Sequence, residues 1–324
     1  MKKRLWMVML PGLALVALFA HSESDQYQFK VDRSLAIPMS FQVTQLKAMQ
    51  LQAMQLQATP PRASSLRVSS LRVKSHVALI FDVQTQRPLY NKNGQTVVPI
   101  ASITKLMTAM VLLDANLPMD VEVSVAEDEL NKIRRAKSRL RVGMTLTRSE
   151  MLRLALMASE NRAALALARS YPGGTAALVE AMNAKARALG MENTRFYDPT
   201  GLDSDNVSTA QDLVKMVAAA GQYPLIHQYT TTASHTMDNL NGRAMRFSNT
   251  NPLVRNASWD IGLSKTGFIN EAGQCLVMQA TINHRPVIIV LLDSWGRRTR
   301  VGDANRIKKW MERADTLDRI AQRG

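Results

Sequence analysis

The sequence predicts an α+β fold, with one antiparallel sheet built from both ends of the folded region, helices packed on it, and a helical lobe inserted between. Two observations carry this expectation. Strand-like segments cluster just after His76 and again over 259–294, while helical periodicity fills the stretch between them. In addition, 46% of the 324 residues are hydrophobic, ample for a large core.

Taken in order, the chain opens with "MKKRLWMVMLPGLALVALFAHSES". Lys2, Lys3 and Arg4 are followed by an apolar run from Leu5 to Ala20 and then by polar residues. This is the layout of a secretory signal peptide, and the run is shorter than the ~20 residues of a membrane helix. Residues 1–22 are therefore read as a signal peptide, with no stable membrane span after cleavage. Residues 23–75 carry short repeats, "LQAMQLQA" and "SSLRVSSLRV", separated by "TPPR". Repeats this short build no solenoid, and the segment reads as a disordered linker. Residues 76–324 are the expected folded domain.

Within that domain, "HVALIFDV" and "RPLYN" flank "QTQ" as a hairpin. "VVPIASITKLMTAMVLLDA" follows as a helix headed by Pro99. Helical patterns continue through "SEMLRLALMASENRAALALARSY" and "GGTAALVEAMNAKARALG". "STAQDLVKMVAAAG" is a further helix capped by Ser208 or Thr209. Three strands, "WDIGLSKTGF", "GQCLVMQATI" and "RPVIIVLLDS", precede a closing amphipathic helix from "GDANRIKKW". The polar face of that helix mixes Arg306, Lys308, Lys309, Arg313 and Arg319 with Asp303, Glu312, Asp315 and Asp318, which favours packing on the core over membrane-surface binding.

A formal net charge of +15 favours an anionic partner. The basic run "KIRRAKSRLRVG", from Lys132 to Gly143, lacks interleaved aromatics for base stacking, and an exported protein seldom meets nucleic acid, so nucleic acid is not an expected partner. A solvated loop or helix face is the expected reading of this run, with weak attraction to an anionic polymer as the functional alternative. The single cysteine, Cys275, excludes an internal disulfide and reads as a buried small hydrophobe in a strand. The five histidines fall into no metal-ligand spacing, so neither a metal site nor any other cofactor is expected.

Three polar elements carry chemistry. Ser102 is the only serine with a lysine, Lys105, three residues on. At that spacing on a helix the amine approaches the hydroxyl, and a lysine whose pKa is lowered can act as base for a serine nucleophile. The position at a helix start also turns free backbone N–H groups toward a developing oxyanion. Ser159-Glu160-Asn161 interrupts an apolar helical stretch, where polar residues are unfavourable without partners. Ser204-Asp205-Asn206 has the same spacing but lies in a turn-rich run before a cap, so Ser159 is preferred. Lys265-Thr266-Gly267 ends a predicted strand. Its lysine and hydroxyl can hold a carboxylate, its glycine admits substrate backbone, and the N–H of Phe268 follows.

In the order Ser-x-x-Lys, Ser-x-Asn, Lys-Thr-Gly, these elements match the signature of penicillin-recognising serine enzymes. From about His76 onward the chain resembles the low-molecular-mass penicillin-binding proteins. "PIASITKLMTAMVLLDA", "ALMASENRAALALA", "NTRFYDPTGLDSDNVSTAQDL" and "LSKTGFINEAGQCLVM" look like the D-alanyl-D-alanine endopeptidase branch. The resemblance implies a penicillin-binding-protein/β-lactamase-like fold. It implies Ser102 as nucleophile, Lys105 as its base, Ser159 as proton shuttle to the leaving amine, and Asn161 and Lys265 as positioning groups. Thr266 would take a substrate carboxylate, Gly267 would admit substrate backbone, and the Ser102 and Phe268 N–H groups would form the oxyanion hole. Peptidoglycan stem peptides and β-lactam antibiotics are the implied partners, and the periplasm the implied location. No E-x-x-L-N run follows Ser159, so a penicilloyl ester on Ser102 is expected to leave slowly. The single helix after the last strand leaves no room for the β-rich second domain of many D,D-carboxypeptidases, which favours an endopeptidase. The alternatives are a D-alanyl-D-alanine carboxypeptidase or, in a different class, a catalytically silent wall-binding protein.

Overall fold

The computed structural model describes residues 71–127, 138–238 and 242–321, with side chains of the last helix described as far as Ala314. The expected signal peptide, most of the expected linker and the first part of the basic run at Lys132 lie outside these residues.

The expected sheet is present, and strands from both ends of the folded region build it. β1 (Val77–Asp82) and β2 (Arg87–Lys92) form the first hairpin. Three short pairings follow outside the sheet: β3 (Val98–Pro99) with β6 (Val207–Ser208), β4 (Glu122–Ser124) with β5 (Thr145–Thr147), and β7 (Ser234–Asp238) with β8 (Ala244–Ser248). The last three strands, β9 (Asp260–Ile269), β10 (Gly273–Ile282) and β11 (Arg285–Ser294), complete a five-stranded antiparallel sheet in the order β2-β1-β11-β10-β9. Val77 lies opposite Leu292 and Asp82 opposite Val287, so the first strand pairs with the last. That order leaves β9 as an edge strand.

Alternation along β11 assigns its side chains to two cores. Ile288, Val290 and Leu292 face the helical lobe, whereas Val287, Ile289 and Leu291 face the closing helix. A strand covered on both faces reads as an unbroken apolar run, which is why "VIIVLL" shows no polar alternation. Truncating Ile289 or Leu291 to alanine would cost about 2–5 kcal/mol.

Helices α1 (Lys105–Asp114), α2 (Arg148–Met157), α3 (Asn161–Arg169) and α4 (Gly174–Ala188) form the lobe, followed by α5 (Ala210–Ala220) and α6 (Pro224–Thr231). Helix α1 is buried from Lys105 through Leu112. It is apolar almost all round, as a central helix must be. Thr147 caps α2 in a capping box with Glu150, and Thr209 caps α5 through the Asp212 N–H. The long segment read as continuous helix through "SEMLRLALMASENRAALALARSY" is two helices, broken at Ser159. Helix α6 and the β7–β8 hairpin occupy the stretch to which the sequence assigned no element.

The closing helix α7 (Thr299–Ala321) packs on β10 and β11 through Ala304, Ile307 and Met311. Among the described residues no helix is long and apolar enough to cross a membrane. Asp303, fully buried on α7, accepts hydrogen bonds from Lys74 N–H (2.9 Å), Ser75 N–H (2.7 Å) and Ser75 O–H (2.6 Å). Val73 and Ser75 are themselves buried, so order extends a few residues into the stretch read as linker.

Candidate active site

Ser102 lies on a 3-10 turn, Ala101–Thr104, that runs directly into α1, whose first residue is Lys105. The sequence suggested a single helix, and the tighter turn has a chemical consequence. In 3-10 geometry residues i and i+3 eclipse, and Lys105 Nζ comes to 2.8 Å from Ser102 Oγ. Ala101 holds a left-handed φ of 46°, a backbone strain of about 1–3 kcal/mol that its surroundings must enforce. Gly201 supplies part of that enforcement. Its own φ is 78°, and a Cβ there would lie 1.8 Å from the Ala101 carbonyl oxygen, so no other residue fits.

Lys105 is 1% exposed and has three neighbours for its amine: Ser102 Oγ, Asn161 Oδ1 at 2.7 Å and the Thr200 carbonyl oxygen at 2.7 Å. Burial pushes its pKa from 10.5 down to about 7, against the opposing attraction of Asp198 and Glu160. The neutral amine then fits these neighbours one for one. Asn161 Oδ1 and the Thr200 carbonyl can only accept, so they take its two N–H groups. In that neutral form the remaining lone pair is left for the Ser102 hydroxyl, which can donate to it across the 2.8 Å contact. This is the arrangement a serine nucleophile needs from its base.

Ser159 sits at the break between α2 and α3 with φ 59°, a left-handed conformation that ends one helix and turns Oγ toward the sheet. Lys265 Nζ donates to Ser159 Oγ at 2.8 Å and to the Thr266 carbonyl at 2.9 Å, tying the edge strand to the lobe. Lys265 is 1% exposed, and burial first, then the positive charges of Lys105 and Arg300, lower its pKa well below 10.5. Glu160, between Ser159 and Asn161, faces away from this chemistry. It accepts from Ser138 Oγ (2.6 Å) and Arg139 N–H (2.9 Å) and so fastens the described second half of the basic run.

Lys265, Thr266 and Gly267 lie inside β9 rather than at its end, and the strand continues two residues past Gly267. A Cβ on Gly267 would meet the Ile100 carbonyl at 2.9 Å, Ala101 Cβ at 3.0 Å and Ser102 N at 3.1 Å. The edge strand and the Ser102 turn are therefore in backbone contact, which only a glycine permits. Thr266 Oγ1 donates to Thr250 Oγ1 at 2.7 Å. The Phe268 side chain is 54% exposed, leaving its backbone N–H as its offering to the site.

Every residue selected from the sequence thus falls within one seam between β9 and the lobe. The rejected triplet behaves differently. Asn206 is fully buried, and its amide nitrogen donates to Thr104 Oγ1 (3.0 Å) and the Asp198 carbonyl (2.9 Å), a structural staple under the Ser102 turn.

Sequence reasoning missed two contributors. Thr200 acts through its backbone carbonyl, held in a loop where Asp198 accepts from Gly201 N–H at 2.8 Å. The loop was visible only as "DPTGLD", a turn-rich run. Arg300, at the start of α7, donates to the carbonyls of Gly267 (2.7 Å) and Cys275 (3.1 Å), bracing β9 from the sheet side. In sequence it was one arginine among three close together, with nothing to set it apart. Cys275 is buried in β10, and burial raises its thiol pKa to about 11, consistent with an inert side chain. Three nitrogen bases, Lys105, Lys265 and Arg300, thus converge on the seam, and among the described residues no carboxylate hydrogen-bonds to any of them.

Residues 64–296 match the family model described as D-alanyl-D-alanine carboxypeptidase. The chain is 53% identical over 236 residues to the D-alanyl-D-alanine endopeptidase of Pseudomonas aeruginosa, covering 72% of this chain and 76% of that protein. To the D-alanyl-D-alanine endopeptidase of Escherichia coli it is 49% identical over 236 residues, with the same coverage of each. The crystal structure of the Streptomyces K15 DD-transpeptidase superposes with a TM-score of 0.70 at 28% identity, over 75% of this chain and 98% of that one.

Proposed function

Because the chain belongs to the D-alanyl-D-alanine carboxypeptidase family of serine hydrolases, we propose that its seam hydrolyses D-alanyl cross-links between peptidoglycan stem peptides, as a D,D-endopeptidase. The observation that carries the reading is the buried Lys105 amine, 2.8 Å from Ser102 Oγ and held by two acceptor-only neighbours. The names of the relatives at 53% and 49% identity favour endopeptidase over carboxypeptidase.

In this mechanism Ser102 Oγ attacks the D-alanyl carbonyl carbon while its proton passes to Lys105. The carbonyl oxygen becomes an oxyanion held by the Ser102 and Phe268 N–H groups. Removing one such donor typically costs ~10²–10³ in rate. The C–N bond breaks as Ser159, hydrogen-bonded to Lys265, gives its proton to the leaving amine, and the proton that Lys105 took from Ser102 replaces it. Thr266 and Lys265 hold the carboxylate on the leaving side, and Asn161 fixes Lys105 and the incoming peptide. Water then adds to the Ser102 ester and releases the stem. β-Lactams acylate the same hydroxyl and, without a carboxylate dedicated to the deacylating water, leave slowly. In this reading residues 1–22 export the chain, 23–75 link it, 76–324 carry the catalysis, and the periplasm is its place of work.

Digestion of purified cross-linked muropeptides tests the reading. Conversion of dimers to monomers by the wild type, absent in Ser102→Ala, is the expected result. Removal of terminal D-Ala from pentapeptide with dimers left intact would replace endopeptidase by carboxypeptidase.

A further inference from the structure

Beside the catalytic seam, at the far end of β9, lies a hollow of about 330 Å³ to which none of the steps above assigns a use. Its walls include Phe268, Asn270 and Gln274 from the β9–β10 hairpin and Ser294, Trp295 and Arg297 from the end of β11 and the turn after it. The volume falls at the lower end of the range typical of small-ligand sites.

The hollow starts where the proposed reaction stops. With the leaving-side carboxylate at Thr266 and the scissile carbonyl oxygen at the Phe268 N–H, a substrate laid along β9 runs from its leaving side to its acyl side in the direction Thr266 to Phe268. Beyond Phe268 the strand continues through Ile269, at ~3.3 Å per residue. What passes the hollow is therefore the acyl-donor stem, one or two residues before the scissile bond. Phe268 belongs to both places, with its N–H in the oxyanion hole and its ring in the wall of the hollow.

The walls define what this place would hold. Trp295 is 93% exposed, and Phe268 is 54% exposed. Burial in the fold accounts for neither ring, and an uncovered tryptophan beside a substrate groove is a ready contact surface. Arg297 is the one charged side chain of the lining, and no carboxylate shares it. Among the described residues its guanidinium has no hydrogen bond or ion pair, unlike Arg300, Arg285 and Arg306, which are all engaged. The amides of Asn270 and Gln274 add neutral donors. A rigid aromatic wall beside an unengaged guanidinium suits an extended peptide carrying a carboxylate, which a guanidinium can grip in bidentate fashion.

We propose that this hollow is a specificity site for the acyl-donor stem peptide, in which Arg297 binds a carboxylate carried one or two residues before the scissile D-alanyl unit and Trp295 packs on the peptide beside it. The site rests on the reading of the seam as a D,D-peptidase.

The test compares two synthetic stem peptides that differ only in whether that carboxylate is free or amidated, cleaved by full-length wild type, Arg297→Gln, Arg297→Lys and Trp295→Ala. Thermal melting confirms that each variant folds. The wild type should favour the free acid by about ten-fold in kcat/KM, mainly through KM. Arg297→Gln should lose that preference, Arg297→Lys should recover part of it, and Trp295→Ala should raise KM for both peptides. A wild type indifferent to amidation, or an Arg297→Gln that loses equally on both peptides, overturns the site and leaves the seam's chemistry standing. If the wild type cleaves neither peptide and no muropeptide dimer, the reading of the seam falls, and this site with it.

Discussion

The protonation of Lys105 is the sharpest consequence of the seam's geometry. Lowering a lysine from 10.5 to about 7 corresponds to roughly 5 kcal/mol disfavouring the charged form, supplied by its full burial. Only the neutral amine has a lone pair for the Ser102 proton. Acylation should therefore follow the neutral fraction, flat above about pH 8, near a tenth of the plateau at about pH 6 and near a hundredth at about pH 5. The perturbation is pH, and the assay is the second-order rate of labelling by a fluorescent penicillin between about pH 5 and 9. A companion effect is expected on stability. The unfolded lysine keeps its proton up to 10.5 while the folded one loses it near 7, so the unfolded chain holds more protons between those values. The penalty is complete below pH 7 and is relieved as pH rises toward 10.5. Lys105→Met should abolish labelling and remove this rise in stability with pH. A labelling rate independent of pH from 5 to 8, or a Lys105→Met variant that still labels, would refute the assignment of Lys105 as the base.

Three further outcomes follow from the same contacts. Gly267→Ala should lower penicillin acylation by ~10² or more, because its Cβ would push β9 off the Ile100–Ser102 backbone; an acylation rate within two-fold of wild type would show that the contact has no catalytic role. Asp198→Asn removes a charge that raises the Lys105 pKa, so the midpoint of the acylation profile should move to lower pH. An unmoved midpoint would mean that Asp198 serves the Thr200 loop and not the charge on the lysine. At Asp303, burial alone would raise the pKa, but hydrogen bonds from Ser75, Lys74 and Arg306 outweigh it and hold the carboxyl below 3.8. Its contribution is present above that value and is lost as pH falls through the depressed pKa. Asp303→Asn should thus cost about 1–3 kcal/mol in urea melts near neutral pH and progressively less in acid.

What could be read from the sequence, and what could not, divides along physical lines. The sheet strands announced themselves as apolar runs, since β10 and β11 are covered on both faces, and the hairpin of β1 and β2 was visible from its turn. The candidate side chains of the seam could be found because a serine nucleophile, its base and its anchors call for fixed residue types at fixed spacings. The features that would fit Lys105 to act as a base were not legible. They reside in the Thr200 carbonyl, in burial and in the 3-10 turn at Ala101, and none of these has a residue-type signature. The break at Ser159 was hidden because "MASEN" sits between two good helix formers, and a single left-handed residue is enough to end one and start the other. Arg300 was invisible for the opposite reason: nearby arginines look alike until one of them reaches the Gly267 carbonyl.

The central claim is that Ser102 becomes acylated through Lys105. Intact-mass and peptide-mapping analysis of the protein after incubation with benzylpenicillin tests it most directly. A single, slowly lost penicilloyl adduct on the peptide containing Ser102, absent from Ser102→Ala, is the expected result. An adduct on any other residue, or one that survives in Ser102→Ala, would contradict it.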